Sequence, residues 1–199
     1  GRCLILPQLG AAGVSARAVS QRSGFEVEYG PVRAEDLPEY LTRGQATPGM
    51  RKVRYGLAER VVLIPVELVH AVAPAAIAAA LLWLVLGRLA SIAALASVFA
   101  GVVLFPLLLP VLPTPDFSSK GFVLGALMSL PFAFRSMSGD TAPVAVRLLD
   151  GAGFLLTMSP VTAYLALNFT GSTPYASRSG AKREIYNYIR IMAWAFGLG

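Results

Sequence analysis

Apolar residues dominate the chain from Val61 to Pro113, and across that stretch the only formal charges are Glu67 and Arg88. A bilayer core ~30 Å thick is crossed by about 20 apolar helical residues. The stretch therefore predicts two spans, from about Val61 to Leu86 and from about Leu89 to Leu112. Arg88 beside Gly87 interrupts it and marks a tight turn. No polar face recurs at helical spacing, as a surface helix of a soluble protein would require. Pro113 to Lys120 then reads as a loop, and Phe122 to Phe134 as a third apolar run, interrupted by Pro131 and closed by Arg135. Ser136 to Asp150 is polar at both ends around an amphipathic VAVRLL, and Gly151 to about Phe169 is a fourth run. The third and fourth runs are short enough to be re-entrant or tilted. Ser172 to Arg190 is polar and basic, and Ile191 to Gly199 begins a fifth apolar segment too short to cross. The pattern predicts a helical membrane domain of roughly four to five spans.

Upstream the pattern changes period. Cys3-Leu4-Ile5-Leu6-Pro7 is a short apolar run suited to a buried parallel strand. Gln8, Leu9, Gly10, Ala11, Ala12 and Gly13 follow as a loop rich in small residues, leading at Val14 into a helix that ends at Ser23 with Gly24 as its C-cap. Phe25 to Tyr29 alternates as a second strand. Gly30-Pro31-Val32 turns the chain into a second helix, Glu35 to Leu41, which Gly44 stops. This β-loop-α-β-loop-α order is the module of a doubly wound, Rossmann-like sheet. Ligands in such sheets bind at the carboxyl ends of the strands, here the loops Gln8–Gly13 and Gly30–Val32. Small residues let a ligand approach the backbone, and a helix N-terminus favours phosphate. The two loops are thus suited to a nucleotide-bearing cofactor. Two glycines without the full dinucleotide fingerprint are equally suited to a plain tight turn.

Sheets usually hold about 4–6 strands. Two strands therefore predict partners before Gly1 or from another chain, and a Gly1–Gly44 piece that does not fold alone. The expected division is 1–48 for the α/β piece, 49–60 for a basic juxtamembrane linker and 61–199 for the membrane domain.

Composition agrees with the membrane class. Of 199 residues, 14% are charged, against about 25% in soluble domains, and mean hydropathy is +0.62. The net charge of +6 raises the question of nucleic acid. The basic residues flank apolar spans, however, and no basic stripe interleaved with aromatics occurs, so no nucleic-acid partner is expected. The single cysteine, Cys3, excludes an internal disulfide and a multi-cysteine metal site. Gly1-Arg2-Cys3 leads straight into the strand-like run without a signal-peptide pattern or an initiator Met, which reads as a fragment of a longer chain.

Arg51, Lys52, Arg54, Arg60, Lys120, Arg178, Lys182, Arg183 and Arg190 fall on one side of the predicted spans, and Arg88, Arg135 and Arg147 on the other. The positive-inside rule then places the α/β piece in the cytoplasm. Glu67 and His70 lie one helical turn apart inside the first span. Such a pair can bind a metal or pass a proton, but it is half of a di-metal set and no second Glu-x-x-His occurs. A mutually hydrogen-bonded pair, or one near enough to the interface to reach water, is the favoured reading.

Five segments in order, LILPQLGAAGV, GFEVEYGPVRAEDLPEYL, ATPGMRKVRY, RVVLIPVEL and NFTGSTPYASRSGAKREI, resemble the mercury-methylating corrinoid protein family. That family joins a corrinoid-binding domain, similar to part of the large subunit of the corrinoid iron–sulfur protein of acetyl-CoA synthesis, to a membrane domain. The resemblance covers nearly the whole chain. It implies a Rossmann-like domain on the cytoplasmic side of the inner membrane, holding a cobalamin-type corrinoid that passes a methyl group to inorganic Hg(II). Gln8–Val14 and Tyr29–Val32, Gly30 and Pro31 included, would form one wall of the pocket along the nucleotide tail. The family's lower cobalt ligand is a cysteine in an Asn-Val-Trp-Cys-Ala-Ala-Gly-Lys helix, which is absent here. Cys3 lies in a strand-like run, so that helix is expected upstream of Gly1, and this chain alone is not the complete catalyst. Implied partners are a ferredoxin-like iron–sulfur reductant, a methyltetrahydrofolate-type methyl donor acting directly or through a methyltransferase, Hg(II) and the lipid bilayer. The competing class is a transporter or membrane scaffold with a cytoplasmic α/β regulatory domain, in which Glu67, His70 and helices broken at Pro106, Pro110 and Pro131 line a path. No inverted repeat supports it.

Overall fold

The computed structural model describes residues 2–53, 55–138, 142–171 and 178–199. The chain forms two compact units, Gly1–Arg54 and Tyr55–Gly199.

In the first unit, β1 (Cys3–Leu6) pairs in parallel with β2 (Glu26–Tyr29), Cys3 opposite Glu26 and Leu6 opposite Tyr29. Between them run a 3-10 turn over Gln8–Ala12 and α1 (Ala16–Ser23); a second 3-10 turn over Ala34–Asp36 leads into α2 (Leu37–Arg43). The expected β-α-β-α order is present as a small two-stranded parallel sheet. Gln8–Gly13 is wound into a turn rather than an open loop, and α1 starts at Ala16 rather than Val14. The reason is Ser15, whose Oγ accepts from the Ala18 N–H at 3.3 Å and caps the helix. Leu4 and Ile5 remain 39% and 36% exposed, far from the burial expected of a central parallel strand. Tyr40 and Met50 supply the buried apolar contacts. Interaction with the Glu28 carboxylate, then burial, push the Tyr40 phenol up to about 12. A raised tyrosine favours the neutral form in the folded state. Its stabilisation is complete below about pH 10 and is lost as pH rises toward about 12. Tyrosinate absorbance should therefore show one late-titrating tyrosine that disappears in Tyr40→Phe; an unchanged titration curve would place Tyr40 in water.

In the second unit, α3 (Leu57–Leu86), α4 (Arg88–Phe99) continued by a π-helical turn over Ala100–Leu104 and α5 (Phe105–Leu108), α6 (Phe117–Met137) and α7 (Val144–Asn168) precede α8 (Arg178–Leu198). Among the described residues four helices are long and apolar enough to cross a membrane: Leu57–Leu86, Arg88–Leu108, Phe117–Met137 and Val144–Asn168. The third and fourth are unbroken helices of 21 and 25 residues, longer than the runs expected from Phe122 and Gly151. Pro131 lies within α6 and Pro160 within α7 without ending either helix. Each proline removes one backbone donor, a loss that packed neighbours tolerate. The predicted turn between the first two spans is a single residue, Gly87, at φ +87° and ψ −177°. That conformation is essentially closed to residues with a Cβ.

The interior is built from small residues at helix crossings and aromatics at one end. Phe105 stacks at 5.8 Å from both Phe117 and Phe169, and Ala100, Leu109, Leu124 and Ala166 surround them. A Cβ on Gly121 would lie 2.5 Å from the Ala163 Cα, and one on Gly125 2.7 Å from the Ser159 Cα. The sequence Gly121-Phe122-Val123-Leu124-Gly125 is thus a Gly-x-x-x-Gly stripe that brings α6 onto α7 at backbone distance. Thr162 Oγ1 adds a bond from α7 to the Ser97 carbonyl of α4 at 3.2 Å. The outside is apolar: of the most hydrophobic window of α3 only 6% is buried, and Trp83, Leu84 and Val85 lie open. Such a surface matches lipid rather than water.

Candidate functional site

The parallel pairing brings the carboxyl ends of both strands, and so both predicted loops, to one edge of the first unit. The loops are tied together: the Tyr29 hydroxyl donates to the Val14 carbonyl at 2.5 Å, and the Gly30 N–H donates to the Leu6 carbonyl at 2.8 Å. Their surfaces differ. Leu9, Ala11, Ala12 and Gly13 are exposed, and Gln8, Gly10 and Val14 are half-buried. A Cβ on Gly10 would meet nothing nearer than the Pro7 Cγ at 4.0 Å, and one on Gly13 only the Gly10 carbonyl at 3.9 Å. Gly30 and Pro31 are buried and Val32 half-buried; a Cβ on Gly30 would lie 2.9 Å from Ile5 Cγ2 and 3.5 Å from Tyr40 Cε1. Gln8–Val14 therefore has open space at both of its glycines, while Gly30 is packed against Ile5 and Tyr40. The first loop is thus the more open of the two. The N-terminus of α1 is turned to its own Ser15 cap, which leaves its first turn less free for phosphate than the sequence pattern implied.

Glu67 and His70 share α3 but do not bond one another. His70 Nδ1 lies 2.7 Å from the Val66 carbonyl; a carbonyl only accepts, so this nitrogen carries the proton. His70 is exposed and Glu67 half-buried on the outer surface of the unit, and neither lines either of the two cavities described below. Of the two arrangements expected for this pair, the mutual hydrogen bond is replaced by a bond to the helix's own backbone. One cavity, about 500 Å³, is an apolar groove formed by Ala75 of α3, Val98 of α4, Leu165 of α7 and Met192 of α8. Among the described residues no group of three or more His, Cys, Asp or Glu is placed to hold a metal ion. Cys3 is exposed.

A polar cluster at one end of the bundle was not evident from the sequence. Pro110 has no N–H, so the Pro106 carbonyl loses its helical donor. Arg60, from the first turn of α3, supplies the replacement: its Nη1 donates to the Pro106 and Leu107 carbonyls at 3.1 and 3.0 Å, and its Nε to the Gly56 carbonyl at 3.1 Å. Lys120 Nζ donates to the Leu109 carbonyl at 3.0 Å. Both cations thus complement the negative end of the second span. Lys120 lies in the first turn of α6 and not in a loop, because α6 starts at Phe117. Glu184 of α8 accepts the Ser118 N–H at 2.5 Å and satisfies that helix start. Tyr188, one turn further, donates to Asp116 Oδ2 at 2.9 Å; this bond, then burial, raise the Tyr188 phenol above its ordinary value. The second cavity, about 350 Å³, opens here between Tyr55, Arg60, Leu109, Pro110, Phe117 and Lys120.

No protein family, no curated protein and no solved structure matches the chain.

Proposed function

We propose that the chain is the membrane-anchored part of a corrinoid methyltransferase that methylates inorganic Hg(II), its α/β unit facing the cytoplasm. The observation that carries the reading is the order of parts. A β-α-β-α unit exposes the small-residue loop Gln8–Val14 at the carboxyl end of a parallel strand, and a basic segment then leads into four helices long enough to span a bilayer. The five ordered segments of family resemblance add to that support. When bound, the corrinoid supplies the methyl group. Gln8–Val14 would hold its nucleotide tail through backbone contacts, with Gly10 and Gly13 admitting close approach. Tyr29 would fix the loop through Val14, and Gly30–Val32 would support it from below. The helical unit would keep the site at the membrane surface. The protein purified from its own membrane should carry about one corrinoid per chain, read from its visible absorbance. A preparation free of corrinoid even after reconstitution would remove the basis of the proposal.

The sidedness has its own test. In a Cys3→Ser background, cysteines placed at Thr47 and Ser179 should resist an impermeant thiol reagent in intact cells and react after permeabilisation. Labelling of either in intact cells would reverse the orientation.

A further inference from the structure

We infer that the cavity between Arg60, Lys120 and Tyr55 is a binding site for a phosphate-class anion at the membrane interface, as presented by an anionic lipid headgroup or by free phosphate. Two cations line it and no carboxylate does. Both cations are held in place by neutral carbonyls, of Gly56, Pro106, Leu107 and Leu109, which fix geometry without cancelling charge. Donors are left over. A guanidinium has five N–H groups and an ammonium three, and the Arg60 Nη2 and two Lys120 protons are not used in these bonds. Asp116, the N-cap of α6, accepts the Tyr188 hydroxyl at 2.9 Å. Glu184 is occupied by the Ser118 N–H. The hydroxyls of Thr114 and Ser118, which flank the lining residues Pro115 and Phe117, are buried without a hydrogen-bond partner among the described residues.

The place suits such a ligand. Arg60 lies one turn into the first span and Lys120 one turn into the third, the depth at which basic and tyrosine side chains meet headgroups. Leu109, Pro110 and Phe117 give the rest of the wall an apolar character, matching the glycerol and upper acyl region below a phosphate. Arg and Lys converging on one oxyanion form charge-assisted bonds, the stronger kind. The inference does not depend on the corrinoid reading.

Full-length protein in nanodiscs of mixed phosphatidylglycerol and phosphatidylcholine should retain about one phosphatidylglycerol per chain on transfer to detergent, as read by native mass spectrometry. Retention should fall roughly five- to tenfold in Lys120→Gln, return in Lys120→Arg, and stay unchanged in Lys52→Gln, whose charge lies on the basic segment outside the cavity. A separate titration with inorganic phosphate in lipid-free detergent identifies a free anion as the source if saturable binding appears there and phosphatidylglycerol shows no preference. Two results overturn the site: equal retention of the two lipids with no phosphate binding, or the same loss in Lys52→Gln as in Lys120→Gln. The wild-type lipid preference and phosphate titration decide the question even if Lys120→Gln does not fold.

Discussion

Leucine at Gly125 should drive the third and fourth candidate spans apart. The added side chain would start 2.7 Å from the Ser159 Cα and 3.1 Å from the Met158 carbonyl oxygen. These are backbone atoms of α7 and cannot turn aside. Gly121→Leu meets the same obstacle at the Ala163 Cα, 2.5 Å away. Overpacking a well-fitted interior usually costs about 1–3 kcal/mol, and clashes against backbone belong at the top of that range or above it. In lipid no hydrophobic driving force offsets the loss, since helix association rests on close packing itself. The midpoint of unfolding in a denaturing detergent should fall sharply for both variants. Gly197→Ala, where an added Cβ meets nothing within 4 Å, should match wild type. A wild-type midpoint for Gly125→Leu would show that α6 and α7 do not cross at these glycines.

Gly10 and Gly30 of the α/β unit should separate binding from folding. Gly10 has open space around it and no positive φ, so Gly10→Val leaves the unit intact. Its new methyl groups would occupy the face offered to the cofactor tail, and corrinoid retention should weaken by about 1–3 kcal/mol. Gly30→Val instead strikes Ile5 and Tyr40 within the unit. It should lower stability whether or not cofactor is present. Purified full-length variants, compared by corrinoid absorbance per chain and by thermal unfolding, distinguish the two. If Gly10→Val holds a full complement of corrinoid, the loop does not touch it.

Much of the helical unit was legible because the bilayer imposes a length and a composition that few soluble helices share. The Gly87 turn was legible for a related reason, since a lone charge beside a glycine ends an apolar run. The boundaries were less so. The first span starts at Leu57 rather than Val61 because Glu59 and Arg60 at an interface do not need to be apolar to be helical. The third starts at Phe117 because Glu184, 66 residues away, satisfies the Ser118 N–H. Such a partner is invisible to local pattern. The Arg60 cap on Pro106 and Leu107 is of the same kind, reaching 46 and 47 residues along the chain. The stripe Gly121-x-x-x-Gly125 is a recognised packing signal legible in the sequence itself. In the α/β unit the order of elements was readable from alternation and glycine stops. That Gly30 is packed while Gly10 is open was not, since both read as a glycine after a strand.

The most direct test of the central claim is methylmercury formation by membranes carrying the protein in its native length, supplied with Hg(II), a reductant and a methyl donor. The account predicts methylmercury from wild-type membranes, and a yield from Gly10→Val membranes that falls in step with their corrinoid content while the amount of inserted protein stays the same. Wild-type membranes that contain the inserted protein and its corrinoid yet form no methylmercury would contradict it.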